Sequence, residues 1–377
     1  MKILFIARAT LYTTKGGDTI QIENTANALK ALSVDVDIRL CNEKMINYNS
    51  YDLIHFFNII RPADIIYHID KSKKPFVVSP IYVRYDELTK YSKNFRTRIF
   101  SFLGHNTQEF VKCIARNIKN GEDIISWKYL FLGHKRSVEY ILKRAAYLLP
   151  NSKSEYKRLK KDFNYVKSYN VIPNAVDTNI FHRNEDGERR PNTVLCVARI
   201  EPQKNQLNII KALNDTDYRL TIVGDAAPNH HSYLNECIHS ASSNITFLKH
   251  QAPQVVAALY NQHTIHILAS WFETTGLSSL EAVVSGCNIV VTDKGDTREY
   301  FSSNAIYCDP NNVDSIRNAV VCAMNKEVDE TFLNKIIKEN NWQRAAIKTL
   351  MVYKKVLRIN SEHNYYKQKQ MHLEAKI

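Results

Sequence analysis

The sequence lacks any hydrophobic run long enough to cross a membrane. Its longest apolar runs, at 145–149 and 319–324, fall far short of the ~18 residues that a transmembrane helix requires. The segment Met1–Arg8 also lacks a long apolar region and a small-residue cleavage site, so we expect a buried first strand there and not a signal peptide. These absences predict a cytoplasmic protein.

Cysteine and glycine are both scarce. The seven cysteines are an odd number and include no C-x-x-C pair, which argues against a disulfide framework and against a zinc site. We expect them to be reduced and buried. Only ten glycines are present, and none belongs to a G-x-G-x-x-G or G-x-x-x-x-G-K-[ST] motif, so the usual dinucleotide and P-loop signatures are missing.

The charge is distributed unevenly along the chain. Of 377 residues, 44% are hydrophobic and 24% are charged, which suffices for a large core and about two domains. Residues 1–170 contain 29 Lys and Arg against 16 Asp and Glu, whereas residues 171–377 contain 22 of each. The entire net charge of +13 therefore lies in the first half, where it favours phosphates on nucleic acid, on nucleotides or on an anionic membrane.

Short runs rich in β-branched and aromatic residues alternate with longer helical patterns, which predicts parallel sheets with crossover helices. We expect strands at 2–7, 34–40, 52–56, 75–79 and 146–149, and then at 171–173, 193–197, 218–223, 245–248, 265–268 and 288–292. The fold class is thus α/β, with two doubly wound, Rossmann-like domains at 1–170 and 171–345 and a C-terminal helix at about 346–377 that packs back on the first domain. Ligands of such sheets bind at the carboxyl ends of the strands, here in a cleft between the domains.

Two glutamates, Glu273 and Glu281, lie eight residues apart around a strand-to-helix turn at Gly276. A helix N-terminus attracts an anion, and a nearby acidic side chain can bind ribose hydroxyls. A nucleotide-sugar would satisfy both features. The alternative is that Ser278 and Glu281 only form a capping box and that Glu273 is a solvated loop residue.

The segment 269–282 resembles the paired-glutamate motif of glycosyltransferase family 4, whose members are retaining enzymes of the GT-B fold. Residues 171–177 followed by Phe181 are similar to the start of that family's second domain, with Ala175 where a glycine is usual. Residues 197–205 are similar to its phosphate-binding strand and loop, with Asn205 in place of a common glycine. Further matches follow in the expected order at 220–225, Ser270, Gly286 and 296–299.

The resemblance implies a role for each matching residue in binding a nucleoside-diphosphate-sugar. Glu281 would bind the ribose and Glu273 would lie near the donor sugar, while Arg199 and Lys204 would neutralise the diphosphate. Glu273, Arg199 and Lys204 are accordingly the catalytic candidates. The remaining donor-binding candidates are Gly276 and Leu277 at the helix start, His250 after a strand, and the glycine-rich loop of Gly16 and Gly17.

Each of these residues also has a plainer interpretation. Arg199 and Lys204 could be surface charges, and Gly16 and Gly17 could form an ordinary strand-to-helix turn. Fixed cations and a helix N-terminus can stabilise a departing diphosphate without a metal ion. We therefore expect no metal cofactor, and we interpret Asp35-x-Asp37 and Asp215-x-Asp217 as solvated carboxylates and not as a metal signature.

The acceptor side departs from the family pattern. Family members frequently carry a histidine near a strand end of the first domain, but the corresponding residues 77–87 contain none. Tyr82, Arg84 and Asp86 are candidates to take its place. His55 and His134 are further candidates, although a lone histidine is more often structural.

The resemblance therefore implies a retaining glycosyltransferase that moves a sugar to a glycan or lipid-linked glycan in surface-polysaccharide synthesis. Residues 93–103 combine basic and aromatic side chains and predict peripheral binding to an anionic membrane. One alternative is a nucleotide-sugar epimerase of the same fold. Another is a basic nucleic-acid-binding protein, although no recognised binding module is present and we expect no nucleic-acid partner.

Overall fold

The computed structural model of the protein describes residues 1–43, 45–83, 105–120, 126–165, 167–184, 187 and 189–374. The chain divides into two compact units. Unit 1 contains Met1–Tyr82, Gly104–Pro173 and Gln343–Ile377, and unit 2 contains Asn174–Trp342. The chain passes between the units at Pro173 and Trp342, where the sequence had suggested 170 and 345.

Unit 1 is built on a parallel five-stranded sheet. Its strands are β1 (Lys2–Ala7), β2 (Asp35–Leu40), β3 (Leu53–Phe57), β4 (Phe76–Ser79) and β5 (Tyr147–Leu148), in the order β2-β1-β3-β4-β5. The order reverses between β1 and β3, a topological switch point at which open α/β sheets bind ligands. Strand side chains such as Leu4, Phe56 and Val78 are completely buried under the helices.

Unit 2 is built on a parallel six-stranded sheet. Its strands are β6 (Thr193–Val197), β7 (Arg219–Val223), β8 (Ile245–Leu248), β9 (Ile265–Leu268), β10 (Asn288–Thr292) and β11 (Ile306–Cys308). Their order, β11-β10-β9-β6-β7-β8, is that of a dinucleotide-binding Rossmann sheet, with its switch point between β6 and β9. Alternate residues face opposite sides, since Val194 and Cys196 belong to one apolar cluster while Leu195 belongs to the other.

Helices cover both sheets. In unit 1 they are Gly17–Ala31, Pro62–Ser72, His105–Asn120, Trp127–Arg144 and Lys153–Phe163, and the helix Trp342–Glu374 begins at the boundary with unit 2 and continues in unit 1. In unit 2 they are Gln206–Leu213, His231–His239, Pro253–Gln262, Leu277–Val284, Thr297–Phe301, Val313–Met324 and Glu330–Glu339. No helix in the described ranges is both long and apolar enough to span a bilayer.

The predicted α/β fold with two Rossmann-like units is confirmed, as is the return of the C-terminal helix to unit 1. The strand expected at 171–173 is wrong: Ile172 donates to the carbonyl of Pro150, but Pro173 has no N–H with which to continue a ladder. The strand β11 was missed because it is short. All seven cysteines are free, but Cys322 is exposed, so the expectation of burial is wrong for that residue.

Candidate active site

The switch point of the unit 2 sheet brings two chain segments together. Strand β6 ends at Val197 and strand β9 ends at Leu268, and the two strands pair directly. The segment after β6 carries Arg199 and Lys204, and the segment after β9 carries Glu273. Charged residues that are distant in sequence therefore lie at the sheet edge where ligands of this fold bind.

Lys204 and Glu273 form an ion pair at this edge. The Lys204 Nζ lies 2.5 Å from Glu273 Oε1, and the two side chains are only 21% and 8% exposed. The hydroxyl of Ser270, which is completely buried, donates to the same Oε1 at 2.7 Å. Charge-assisted bonds of this kind fix an orientation strongly. The structure thus contradicts the interpretation of Glu273 as a solvated loop residue.

The backbone of Glu273 is held by the segment after β10. Glu273 N–H donates to the carbonyl of Lys294 at 3.1 Å, and its own carbonyl accepts from Asp296 N–H at 2.9 Å. Gly295 lies between these contacts with φ +99°, and a Cβ there would stand 1.9 Å from the Glu273 carbonyl oxygen. Only glycine fits. Sequence reasoning missed Gly295, for which the Gly-Asp pair after a buried strand was the available signal.

Asn205 explains one departure from the family pattern. It lies in the left-handed region at φ +60°, which asparagine tolerates better than most residues. Its side-chain amide donates to the carbonyls of Ala269 at 3.0 Å and Pro310 at 2.8 Å. Asparagine therefore supplies the turn that a glycine would make and also ties the Lys204 turn to the segment after β9.

Arg199 is presented at the same edge but has a different partner. Its side chain is 42% exposed and lies 3.1 Å from Glu201. Its carbonyl accepts from the amide of Gln206 at 2.9 Å, which fixes the backbone while leaving the guanidinium partly open to solvent. The preceding residue, Ala198, is approached so closely by Gly224 that a Cβ on that glycine would lie 2.0 Å from the Ala198 carbonyl oxygen.

Glu281 lies about one turn into the helix Leu277–Val284 and bonds to Tyr260. The Tyr260 hydroxyl is 2.9 Å from the Ser278 carbonyl and 3.4 Å from Glu281 Oε2. Burial raises the pKa of the Glu281 carboxyl to about 7, although the hydrogen bond from Tyr260 opposes the shift. The helix is capped by Gly276 at φ +71°. The alternative in which Ser278 and Glu281 form a capping box is therefore wrong, because Ser278 lies inside the helix.

The remaining donor-side candidates lie at chain turns. Gly276 is buried and Leu277 is half-buried at the start of the helix. His250 is exposed, and its N–H donates to the Asp225 carboxylate at 3.2 Å, so this amide is occupied by the protein itself.

The glycine loop of unit 1 is organised by an arginine that the sequence did not single out. Gly16 caps the helix Gly17–Ala31 in an extended conformation at φ −150°, and Gly17 is exposed. Arg8, which follows β1, makes a two-pronged ion pair with Asp18 at 2.6 and 3.0 Å and also donates to the Thr14 carbonyl at 2.6 Å. Arg8 therefore links the residues on either side of the two glycines, Thr14 and Asp18, and so fixes the loop.

Two acceptor-side candidates are structural residues. Tyr82 is 2% exposed, with its N–H bonded to Glu155 and its hydroxyl bonded to Asp162. His55 is 1% exposed, and its ring nitrogens bond to the hydroxyls of Tyr353 at 2.6 Å and Ser79 at 2.8 Å. Burial lowers the pKa of His55 to about 3, so it is neutral. The assignment of these two residues to an acceptor site is corrected.

The other acceptor-side candidates are less informative. His134 is 4% exposed, directly after the non-helical Gly133 in the helix Trp127–Arg144, so it too lies in the interior. Arg84 and Asp86 fall outside the described residues, as does the predicted membrane segment 93–103.

Within the described part of the chain, no group of three or more His, Cys, Asp or Glu side chains could hold a metal ion. Asp35 and Asp37 instead face Lys2, at 3.6 and 3.4 Å. Asp215 and Asp217 are both exposed in the loop before β7. Asp35, Asp215 and Asp217 are thus surface carboxylates, whereas Asp37 is half-buried and accepts from the Tyr51 hydroxyl at 2.8 Å.

Comparison with known proteins agrees with this geometry. Residues 177–348, which include every unit 2 site residue described above, match the family model of glycosyl transferases group 1. The protein is a glycosyltransferase. An uncharacterised glycosyltransferase of Methanocaldococcus jannaschii is 23% identical, with 94% of this chain and 99% of the relative covered.

Solved structures share the fold of this glycosyltransferase. Sucrose-phosphate synthase from Thermosynechococcus elongatus superposes with a TM-score of 0.74 at 13% identity, covering 95% of this chain and 100% of that chain. Anabaena HepE in complex with UDP and glucose superposes with a TM-score of 0.68 at 15% identity, covering 94% and 99%. The glycosyltransferase therefore has the GT-B type of architecture that the sequence resemblance implied.

Proposed function

We propose that the enzyme transfers a sugar, with retention of anomeric configuration, from a nucleoside-diphosphate-sugar to a glycan or lipid-linked glycan. The observation that carries the donor assignment is the cluster of Lys204, Glu273 and Ser270 at the switch point of a Rossmann-ordered sheet. HepE, which shares the fold, binds UDP and glucose. The proposed donor is therefore a nucleoside diphosphate linked to a hexose.

In this proposal the unit 2 residues act on charge that develops at the leaving diphosphate. Arg199 and the ammonium of Lys204 neutralise its oxygens, and Glu273 faces the sugar. Glu281 accepts hydrogen bonds from the ribose hydroxyls, with Gly276 and Leu277 at the adjacent helix start. Cations already fixed in place stabilise such a transition state without reorganisation, so we expect transfer to continue without a divalent metal.

A binding screen tests the donor assignment. Calorimetric titration with UDP-, GDP- and ADP-sugars is expected to give one tight-binding nucleotide for the wild type. Glu281→Gln is expected to weaken that binding by tenfold or more, since a ribose hydroxyl would lose a charged acceptor worth about 1.5–3 kcal/mol. Glu339→Gln, at an exposed glutamate in the same unit, is the matched control. Equal affinities for all three proteins would contradict the role of Glu281.

The anomeric outcome has its own measurement. Proton NMR of the first product formed from an α-linked donor is expected to show an α-linkage. A β-linked first product would contradict retention while leaving donor binding untouched. Hydrolysis or epimerisation of the donor without transfer would instead restore the epimerase alternative, which the family match to transferases does not favour.

The proposed acceptor is a lipid-linked glycan at an anionic membrane surface, bound by unit 1. Support comes from the net charge of +13 carried by residues 1–170, and from Trp127 and Phe131, which are 88% and 86% exposed on one helix. Exposed aromatics beside basic residues favour the membrane interface. Sedimentation with anionic vesicles at low salt tests this, and equal recovery with neutral vesicles would contradict it.

A further inference from the structure

A cavity lies in unit 2, away from the proposed donor site. Its volume is about 330 Å³, and it runs between the helix Pro253–Gln262 and the outer strands β7 and β8. A volume of roughly 300–1,000 Å³ is typical of small-molecule pockets. Several of its lining residues, such as Thr193, Arg219 and Asn244, lie at or beside the amino ends of their strands.

The cavity is positively charged. Arg190 and Arg219 line it, and among the described residues the lining includes no carboxylate. Both arginines have fixed backbones, because Arg190 N–H donates to Gln262 and Arg219 N–H donates to Asn192. Neither guanidinium makes an ion pair within the described part of the chain. Two exposed arginines thus line one space, and no carboxylate in the described part of its lining neutralises them.

Neutral hydrogen-bonding groups complete the lining. His263 is 5% exposed, and its Nδ1 donates to the Leu259 carbonyl at 2.7 Å, which leaves Nε2 facing the Thr221 hydroxyl at 3.1 Å. Hydroxyls can turn toward a ligand, and a pair of arginine forks matches the oxygens of a phosphate group. We propose that this cavity binds a small phosphate-bearing molecule.

The site is separate from the donor site by the length of a strand. Arg219 begins β7 and Gly224 follows its last residue, and five residues at about 3.3 Å each place these ends roughly 16 Å apart. The proposal goes beyond the proposed function, since it assigns a second ligand to unit 2 and does not depend on the identity of the donor.

Arginine-specific labelling with phenylglyoxal, read by mass spectrometry of individual peptides, tests the proposal. Inorganic phosphate, pyrophosphate and a hexose phosphate are added separately at millimolar concentration. At least one is expected to protect Arg190 and Arg219 together, while Arg298, which is 61% exposed outside the cavity, stays fully labelled. Equal labelling with and without all three, or equal protection of Arg298, would overturn the proposal.

Vesicles and RNA are added in the same labelling experiment to test two other sources of phosphate groups, and calorimetry of variants tests the two arginines. Protection by phosphatidylglycerol vesicles or by RNA, with none from the soluble phosphates, would overturn the small-molecule assignment. In calorimetry, the double substitution Arg190→Gln/Arg219→Gln is expected to weaken binding of the protecting phosphate at least tenfold, whereas Lys211→Gln/Lys338→Gln, which removes two exposed charges elsewhere in unit 2, has no effect. If the first double variant fails to fold, the labelling of the wild type still decides.

Discussion

Lys204 and Glu273, 69 residues apart in the chain, meet at 2.5 Å across the switch point of the second sheet. Lys204 ends the short 3-10 helix Pro202–Lys204, and Glu273 forms an isolated β-bridge with Gly295. The Lys204 turn is fixed by Asn205, and Glu273 is fixed by the backbone on either side of Gly295. The ion pair therefore depends on two loops that are both held by hydrogen bonds at the carboxyl ends of the sheet strands.

Lys204→Met is expected to destabilise the protein as well as to slow transfer. It leaves the carboxylate of Glu273, 8% exposed, without its cation, and an unpaired buried charge costs several kcal/mol. The double variant Lys204→Met/Glu273→Gln is expected to be more stable than Lys204→Met alone, because the uncompensated charge is gone. Urea denaturation measures this, and additive losses in the double variant would contradict a direct ion pair.

Ser270→Ala is expected to cost about 1 kcal/mol and to reduce kcat more than it raises KM, because Glu273 loses the hydroxyl that orients Oε1. Ser279→Ala is the matched control. The Ser279 hydroxyl is also completely buried but has no hydrogen-bond partner among the residues that the structure describes, so its removal is expected to be neutral or slightly stabilising. Equal effects of the two substitutions on kcat would show that Ser270 does not position Glu273.

Gly295→Ala is expected to abolish transfer and to lower Tm strongly, because its Cβ would stand 1.9 Å from the Glu273 carbonyl oxygen. Gly133→Ala provides the comparison. Gly133 also has a positive φ, +68°, but within the described residues nothing lies within 4 Å of its added Cβ, so only backbone strain of about 1–3 kcal/mol is expected. Activity measurements and thermal denaturation of both variants test the difference, and an active Gly295→Ala enzyme would refute it.

Glu281 should make stability depend on pH. Its folded-state pKa is raised from 4.5 to about 7 by burial, so between these values the native state binds more protons than the unfolded state. Stability therefore falls as pH rises through this window. Glu281→Gln is expected to match the wild type at pH 4 and to exceed its Tm at pH 8. If the Tm of Glu281→Gln differs from that of the wild type by the same amount at pH 4 and at pH 8, the raised pKa is contradicted.

Donor affinity should rise with pH, whereas the stability of the free protein falls. If the ribose hydroxyls bond to the charged form of Glu281, the affinity of the nucleotide rises as pH increases through about 7 and then levels off. Calorimetric titration across this range in the wild type measures the effect. An affinity independent of pH would show that Glu281 is charged in both states or does not touch the ligand.

Tyr353→Phe tests the structural role of His55. It removes the hydroxyl 2.6 Å from His55 Nδ1 and leaves a buried ring nitrogen without its partner, at a cost of about 1–3 kcal/mol. We expect a lower free energy of unfolding with an unchanged KM for the acceptor. A selective rise in that KM would return His55 to the acceptor side.

The sequence by itself determined the two doubly wound units, because alternating β-branched runs and helical patterns record which segments are buried on both faces. It also determined the order of the candidate-site motifs, since Glu273, Gly276 and Glu281 are close in the chain. Short strands such as β11, and the lack of a strand at 171–173, depended on pairing partners that local pattern does not contain.

Only the tertiary structure decided which charged residues meet. Lys204 reaches Glu273 whereas Arg199 pairs with Glu201, and Arg8 closes the glycine loop through Asp18. It also showed that His55 and Tyr82, which were expected at an acceptor site, are buried in the interior. These contacts are set by strand order and by the path of the loops. In a parallel sheet with crossover connections, neighbouring strands can be far apart in the sequence. The distance between two such residues therefore cannot be read from their separation along the chain.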